Sequence, residues 1–137
     1  MGVLMTNVLP FQALNDVTAV GAGPVIDLED WYTTTTIVTS ALGACSYVEG
    51  YGWGNVAGTF SVMGSLDNSI WYGISGSPSP SAESSGNATE PSTAVLVLSG
   101  AGGAPSFRYI QLDLTGISAS NGSAVTSFTM SAWLAVR

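Results

Sequence analysis

The chain is cut into short runs that alternate apolar and polar residues, and turn residues separate each run from the next. Between positions 59 and 66, Phe60, Val62 and Leu66 fall on one side of a period-two pattern, while Thr59, Ser61 and Ser65 fall on the other. Successive side chains of an extended strand point to opposite faces, so this period marks a strand with one buried face. Residues 33–39 form a β-branched run suited to a pleated, half-buried surface. Runs at 17–20, 25–28, 70–74, 94–98, 107–114 and 125–136 bring the set to about eight strands, with Gly, Asn, Ser and Pro between them. No segment carries a helical period. The expected fold is all-β, an antiparallel β-sandwich.

The later strands distinguish core from surface. In 125–136 the core set is Phe128, Met130, Ala132, Leu134 and Val136; the opposite set is Thr129, Ser131, Trp133 and Ala135. Trp133 therefore points outward, to be covered by a loop or by a neighbour. In 107–114 the buried set is Ile110, Leu112 and Leu114, with Tyr109, Gln111 and Asp113 outside. At 137 residues the chain is expected to be a single sandwich domain over 1–137. A flexible arm is expected over about 1–16. Residues 75–93 hold no large apolar side chain, and read as a long polar loop inserted between strands.

Chemistry is bounded by what is missing. There is no lysine and no histidine, and the two basic residues are Arg108 and Arg137. Without histidine the commonest general base is gone, no Ser-His-Asp triad can form, and with one cysteine no His/Cys metal cluster can form either. Without lysine there is no phosphate-binding GxxxxGK[ST] loop. Nine acids give a net charge of -7, which repels a nucleic-acid backbone. The densest acid group, Asp27, Glu29 and Asp30, lacks the alternating oxygen ligands of a calcium loop and reads as a solvated turn. No carboxylate pair stands out for glycoside hydrolysis. The chain is expected to be no enzyme and to hold no metal or cofactor.

Cys45 reads as a small buried filler rather than a reactive thiol. The N-terminus lacks a basic leader, and no run approaches a membrane span. The Met1-Gly2 start and the sequons at Asn87 and Asn121 are patterns expected by chance in so Ser/Thr-rich a chain. Only 8% of residues are charged, against about 25% in a typical soluble domain. Such a skin loses little hydration when another surface covers it, which suits a densely packed assembly. Edge strands are commonly guarded by lysine, absent here; either prolines, bulges and loops guard them or an assembly covers them.

Aromatic residues with polar handles are the candidate contacts. Tyr47, Tyr51 and Trp53 lie in a glycine-rich segment that reads as an exposed loop, and Trp133 joins them as an outward indole. Trp71, and at least one of Trp31 and Tyr32, are expected to fill the core.

Two segments carry a resemblance. Residues 58–72, with Ser65, Asp67 and Trp71 in a Ser-x-Asp-x-x-x-Trp hairpin, resemble galactose-binding-like (discoidin-type) β-sandwiches, as does the strand Phe107-Arg108-Tyr109-Ile110-Gln111-Leu112. Asp67-Asn68 favours a tight turn, Trp71 closes the core beside it, and Arg108 binds loop carbonyls or an acid, so that Asp67, Trp71, Arg108 and Tyr109 are expected to be structural. Preceded by Gly23-Pro24-Val25-Ile26-Asp27-Leu28, the same pair resembles small virion proteins of tailed bacteriophages. Asn68 stands where the family turn has glycine, and the disulfide and basic membrane-binding surface of extracellular discoidin domains are absent. The resemblance implies a jelly-roll or galactose-binding-like sandwich that decorates a capsid. The expected function is that of a cement protein: bound to the major capsid protein on the outer capsid surface of the virion, self-associated as a trimer, with no nucleic-acid or membrane partner. The alternative is a carbohydrate-binding adhesin domain of a head fibre or tail, with Tyr51 and Trp53 as a stacking platform for a glycan.

Overall fold

The computed structural model describes residues 9–29, 34–74, 79–99 and 107–136. They form ten strands: β1 (Leu9–Val17), β2 (Gly21–Ala22), β3 (Ile26–Asp27), β4 (Thr34–Cys45), β5 (Asn55–Ser65), β6 (Trp71–Gly73), β7 (Ser81–Ser85), β8 (Ser92–Ser99), β9 (Tyr109–Ala119) and β10 (Val125–Val136). A four-stranded sheet runs β1-β10-β4-β8. In the six-stranded sheet β9 and β5 form the central pair, with β2 and β3 along the free side of β9, and β6 and β7 along that of β5. All pairings are antiparallel. The expected all-β sandwich is the observed fold.

Period two places the core between the sheets. From β10, Phe128, Met130, Ala132, Leu134 and Val136 face inward; Ile37, Thr39, Ala41 and Cys45 do so from β4. Val56, Phe60 and Val62 of β5, with Ile110, Leu112 and Leu114 of β9, close the layer from the other sheet. The sequence assignment of faces holds from Tyr109 to Leu114 in β9 and for the core set of β10, while Ser131 of the outer set is buried as well.

Four expectations are corrected. Residues 9–16, placed in a flexible arm, belong to β1, whose register runs from Leu9 opposite Val136 to Val17 opposite Met130. The polar segment 75–93 is not a continuous loop: Ser81–Ser85 pairs with β5, and β8 begins at Ser92. That stretch hides its strand because the inward residues, Ala82 and Ser84, are small, so burial occurs without an apolar signal. The two-residue β2 lies inside an expected turn, where it pairs with Leu114 and Asp113. Leu66 is 54% exposed rather than on the core face, since β5 ends at Ser65. Trp31, Tyr32 and Asp30 lie outside the described residues.

Candidate functional site

The segment between β4 and β5 leaves the sandwich as a small closed loop. Val48 and Gly52 exchange backbone bonds, the Val48 N–H donating to the Gly52 carbonyl at 3.0 Å and the Gly52 N–H to the Val48 carbonyl at 2.7 Å. Such tight closure needs positive φ, which Gly50, Gly52 and Gly54 provide at 87°, 72° and 62°. Asn121, in the turn between β9 and β10, holds the loop from beside it. Its Nδ2 donates towards the carbonyls of Ser46 (2.9 Å), Gly52 (2.9 Å) and Trp53 (3.2 Å). Its Oδ1 accepts from the N–H and hydroxyl of Ser123. From below, the Cys45 thiol donates to the Trp53 carbonyl at 2.8 Å, and the Gly86 N–H donates to the Gly54 carbonyl at 2.9 Å. A Cβ on Gly86 would stand 2.4 Å from the Trp53 carbonyl oxygen, so that position admits only glycine without displacing the loop.

The loop thus displays aromatic side chains on a fixed backbone. Tyr51 is 76% exposed, Tyr47 59% and Trp53 41%. Tyr47 and Trp53 meet edge to face, with ring centroids 5.5 Å apart and planes at 71°. A side chain held by neighbours loses little freedom on binding, so this geometry favours a preformed contact. Cys45 is buried, as its reading as a filler expects, and it also ties β4 to the loop.

Trp133 belongs to a different surface. Val125, at the start of β10, pairs with Cys45 beside the aromatic loop; Trp133 lies eight residues further on, about 26 Å along the strand. It sits on the outer face of the four-stranded sheet in a cross-strand row with Gln12, Val38 and Val95. The next row holds Ala135, Thr36 and Val97. Val95 is 65% exposed, Val97 59% and Trp133 41%. Strands β4, β8 and β10 contain no charged residue, and β1 contains one, Asp16. The four candidate contacts therefore form two surfaces, three residues in the loop and one on this sheet.

At the opposite end of the sandwich from the aromatic loop lie the residues read as structural. Arg108 Nε and Nη2 bind Asp27 Oδ1 and Oδ2 at 2.8 and 3.0 Å, a bidentate pair that joins β3 to the start of β9. The Arg108 guanidinium also lies 5.1 Å from the centroid of Tyr109. The hydrogen bonds from Arg108 and from the Glu29 N–H hold the Asp27 carboxyl below its ordinary range, and Asp27 in turn raises Arg108. Asp67 Oδ1 accepts from the N–H groups of Ser69 and Ile70, both at 2.9 Å, and from the buried Ser65 hydroxyl. Those backbone donors lower its pKa too. Asn68 takes φ = 61° in this turn, the conformation that glycine would adopt most easily. Trp71 departs from expectation: it is only half-buried and stands outside the core cluster, because β6 pairs at the sheet margin. Its neighbour Tyr72 stacks on Phe107 at 6.1 Å.

Among the described residues no three His, Cys, Asp or Glu side chains gather as a metal site. Two of the depressions among the described residues have volumes of about 190 and 250 Å³. Asn121 was not among the sequence candidates. Its signal was the Asn-Gly-Ser triplet, read there as a chance sequon; Gly122 takes φ = 77°, so the triplet marks a tight turn whose amide is free to reach across to the loop.

No protein-family model matches the chain, and no curated protein matches it. Three solved structures are similar in form. The structure of infectious bursal disease virus Gx strain matches 94% of this chain and 32% of its own, with 15% identity and a TM-score of 0.48. The infectious bursal disease virus VP2 subviral particle matches 94% and 31%, with 18% identity and a TM-score of 0.47. The STIV MCP matches 94% and 47%, with 13% identity and a TM-score of 0.44. The chain thus spans less than half the length of each of these chains.

Proposed function

We propose that the protein is a non-enzymatic structural component of a virus particle, and that it acts as a capsid decoration protein bound to the outer surface of the major capsid protein lattice. The carrying observation is the outer face of the four-stranded sheet, where Trp133, Val95 and Val97 are exposed on strands without charge. Covering such a face strips water from few charges, so burial of its apolar area is opposed by little desolvation cost. Specific interfaces bury on the order of 1,600 Å² in total. The preformed aromatic loop supplies a second contact at the far end, so one copy can touch two lattice subunits and resist their separation. The net charge of -7 keeps the protein from adhering to DNA. The sequence resemblance to phage virion proteins supports the same reading.

Co-sedimentation with expanded capsid shells tests it. The wild-type protein should pellet with shells in saturable amount, and Trp133→Ala or Tyr51→Ala should weaken pelleting at least tenfold. Failure of the wild type to pellet would refute the proposal. A carbohydrate-binding reading is favoured by one observation, the 76% exposure of Tyr51 in a fixed loop. Tyr47 and Trp53 meet at 71° and do not form one flat surface, so a platform on this reading is made by Tyr51 and Trp53 without Tyr47. Glycan binding abolished in a Tyr51→Ala/Trp53→Ala double variant would replace the first reading with this one.

A further inference from the structure

An unpaired sheet edge is a row of free N–H and C=O groups, and proteins shorten, bend, charge or cover it. Among the described residues, three of the four edges carry such devices. One side of the six-stranded sheet is made of the two-residue β2 and β3, the other of the three-residue β6 and five-residue β7. On the four-stranded sheet, β1 is interrupted by register shifts between Gln12 and Leu14 and between Leu14 and Val17, and it contains Pro10 and Asp16. Strand β8 has none of these. It runs eight residues, pairs with β4 without a register shift, and contains neither proline nor charge.

We infer that β8 pairs with β8 of a second copy, antiparallel about a two-fold axis, so that two four-stranded sheets become one of eight strands. The occupant of an open edge must be an extended strand with its own free edge, and β8 is the long strand here that offers one. Electrostatics selects a partner without charge at the seam. Copies of net charge -7 repel unless they meet where charge is absent, and β8 is such a place. The nearest acid in sequence, Glu90, precedes the strand by two residues. With Leu96 on the axis, the two Glu90 residues lie twelve positions apart, about 40 Å along the strands. That is several Debye lengths at physiological salt.

The strand also sets its own register. Residues directly opposite in an antiparallel pair share a face, so position sums must be even. With Leu96 facing itself, Val95 faces Val97 of the second copy on the outer side, twice, and Ala94 faces Leu98. A shift by one pairing step sets Val97 against Thr93, or Val95 against Ser99, and loses apolar partners. Because β1 is bulged, head-to-tail growth through the other edge is blocked and association stops at two, a closed isologous pair.

Analytical ultracentrifugation of the wild-type protein from 1 to 200 µM should show a monomer–dimer equilibrium. A Val95→Lys/Val97→Lys variant, altered only at exposed positions, should be monomeric throughout. So should Val95→Asp/Val97→Asp. Mixed one to one, the two variants should form a heterodimer, since each lysine then faces an aspartate. Hydrogen exchange on the wild type is the check that needs no variant: amides of 92–99 should gain protection with concentration while those of 9–17 do not. A wild type that stays monomeric at 200 µM, a lysine variant that still dimerises, or a folded mixture that fails to pair would each overturn the inference.

Discussion

Asn121→Asp changes one atom pair and removes the donor that fixes the aromatic loop. The native Nδ2 has two hydrogens for three carbonyls, at 2.9, 2.9 and 3.2 Å, whereas an ionised aspartate has none. The Oδ1 side is untouched, so the Ser123 N–H and hydroxyl keep their acceptor and the turn between β9 and β10 survives. Two hydrogen bonds are lost at about 0.5–1.5 kcal/mol each, for a central loss of about 2 kcal/mol. The new carboxylate oxygen also faces three carbonyls, which adds to that loss. For a domain of this size about 4 °C accompanies each kcal/mol, so Tm should fall by about 8 °C by differential scanning calorimetry. Exchange of the Gly52 N–H, bonded across the loop to Val48, should accelerate beyond the global change. A Tm within about 2 °C of wild type, with Gly52 exchange unaltered, would refute the assignment of Asn121 as the organiser of the loop.

Three further substitutions address the frame that holds the surfaces. Gly58→Ala places a Cβ 2.5 Å from Phe128 Cζ in the core, and should destabilise by about 1–3 kcal/mol in urea unfolding despite the intrinsic preference for alanine in a strand; equal or greater stability would show that the sheets can separate there. Asp27 and Asp67 both have folded pKa values below the ordinary 3.8. As pH falls below 3.8 the unfolded chain takes up protons before the folded one does, so their contribution is fully present above that value and is lost as pH falls through the folded values. Asp27→Asn and Asp67→Asn should each flatten the stability profile below pH 4, and an unchanged acid limb in both would contradict the two hydrogen-bonded assignments.

The sandwich was legible in the sequence because β9 and β10 each have one buried face of mostly large side chains. Phe128 to Val136 and Ile110 to Leu114 state their orientation at every second residue. Strand β1 escaped because its register shifts bury the successive residues Ala13 and Leu14 and break the period of two; elsewhere, what escaped was structure without that contrast. Strand β7 buries Ala82 and Ser84, whose burial leaves no hydrophobic trace, and β2 is two residues held by pairing with β9 alone. The loop aromatics were legible through their glycines, since Gly50, Gly52 and Gly54 mark backbone that cannot continue a strand. Their organiser was not, because Asn121 is 68 to 75 residues away and acts through side-chain to backbone bonds that no local pattern records. Trp71 was misplaced for a related reason: side-chain size says how much a residue would gain from burial, while its strand's position at the sheet margin decides how much it receives. Arg108 and Asp27 each stand out in the sequence, yet nothing in their spacing of 81 residues announces the bidentate pair.

A capsid decoration protein is a stoichiometric part of a virus shell. Quantitative mass spectrometry of purified particles from its source, scaled to the major capsid protein, tests that most directly. A copy number close to that of the capsid protein is the predicted result; absence of the chain from the particles would contradict the account.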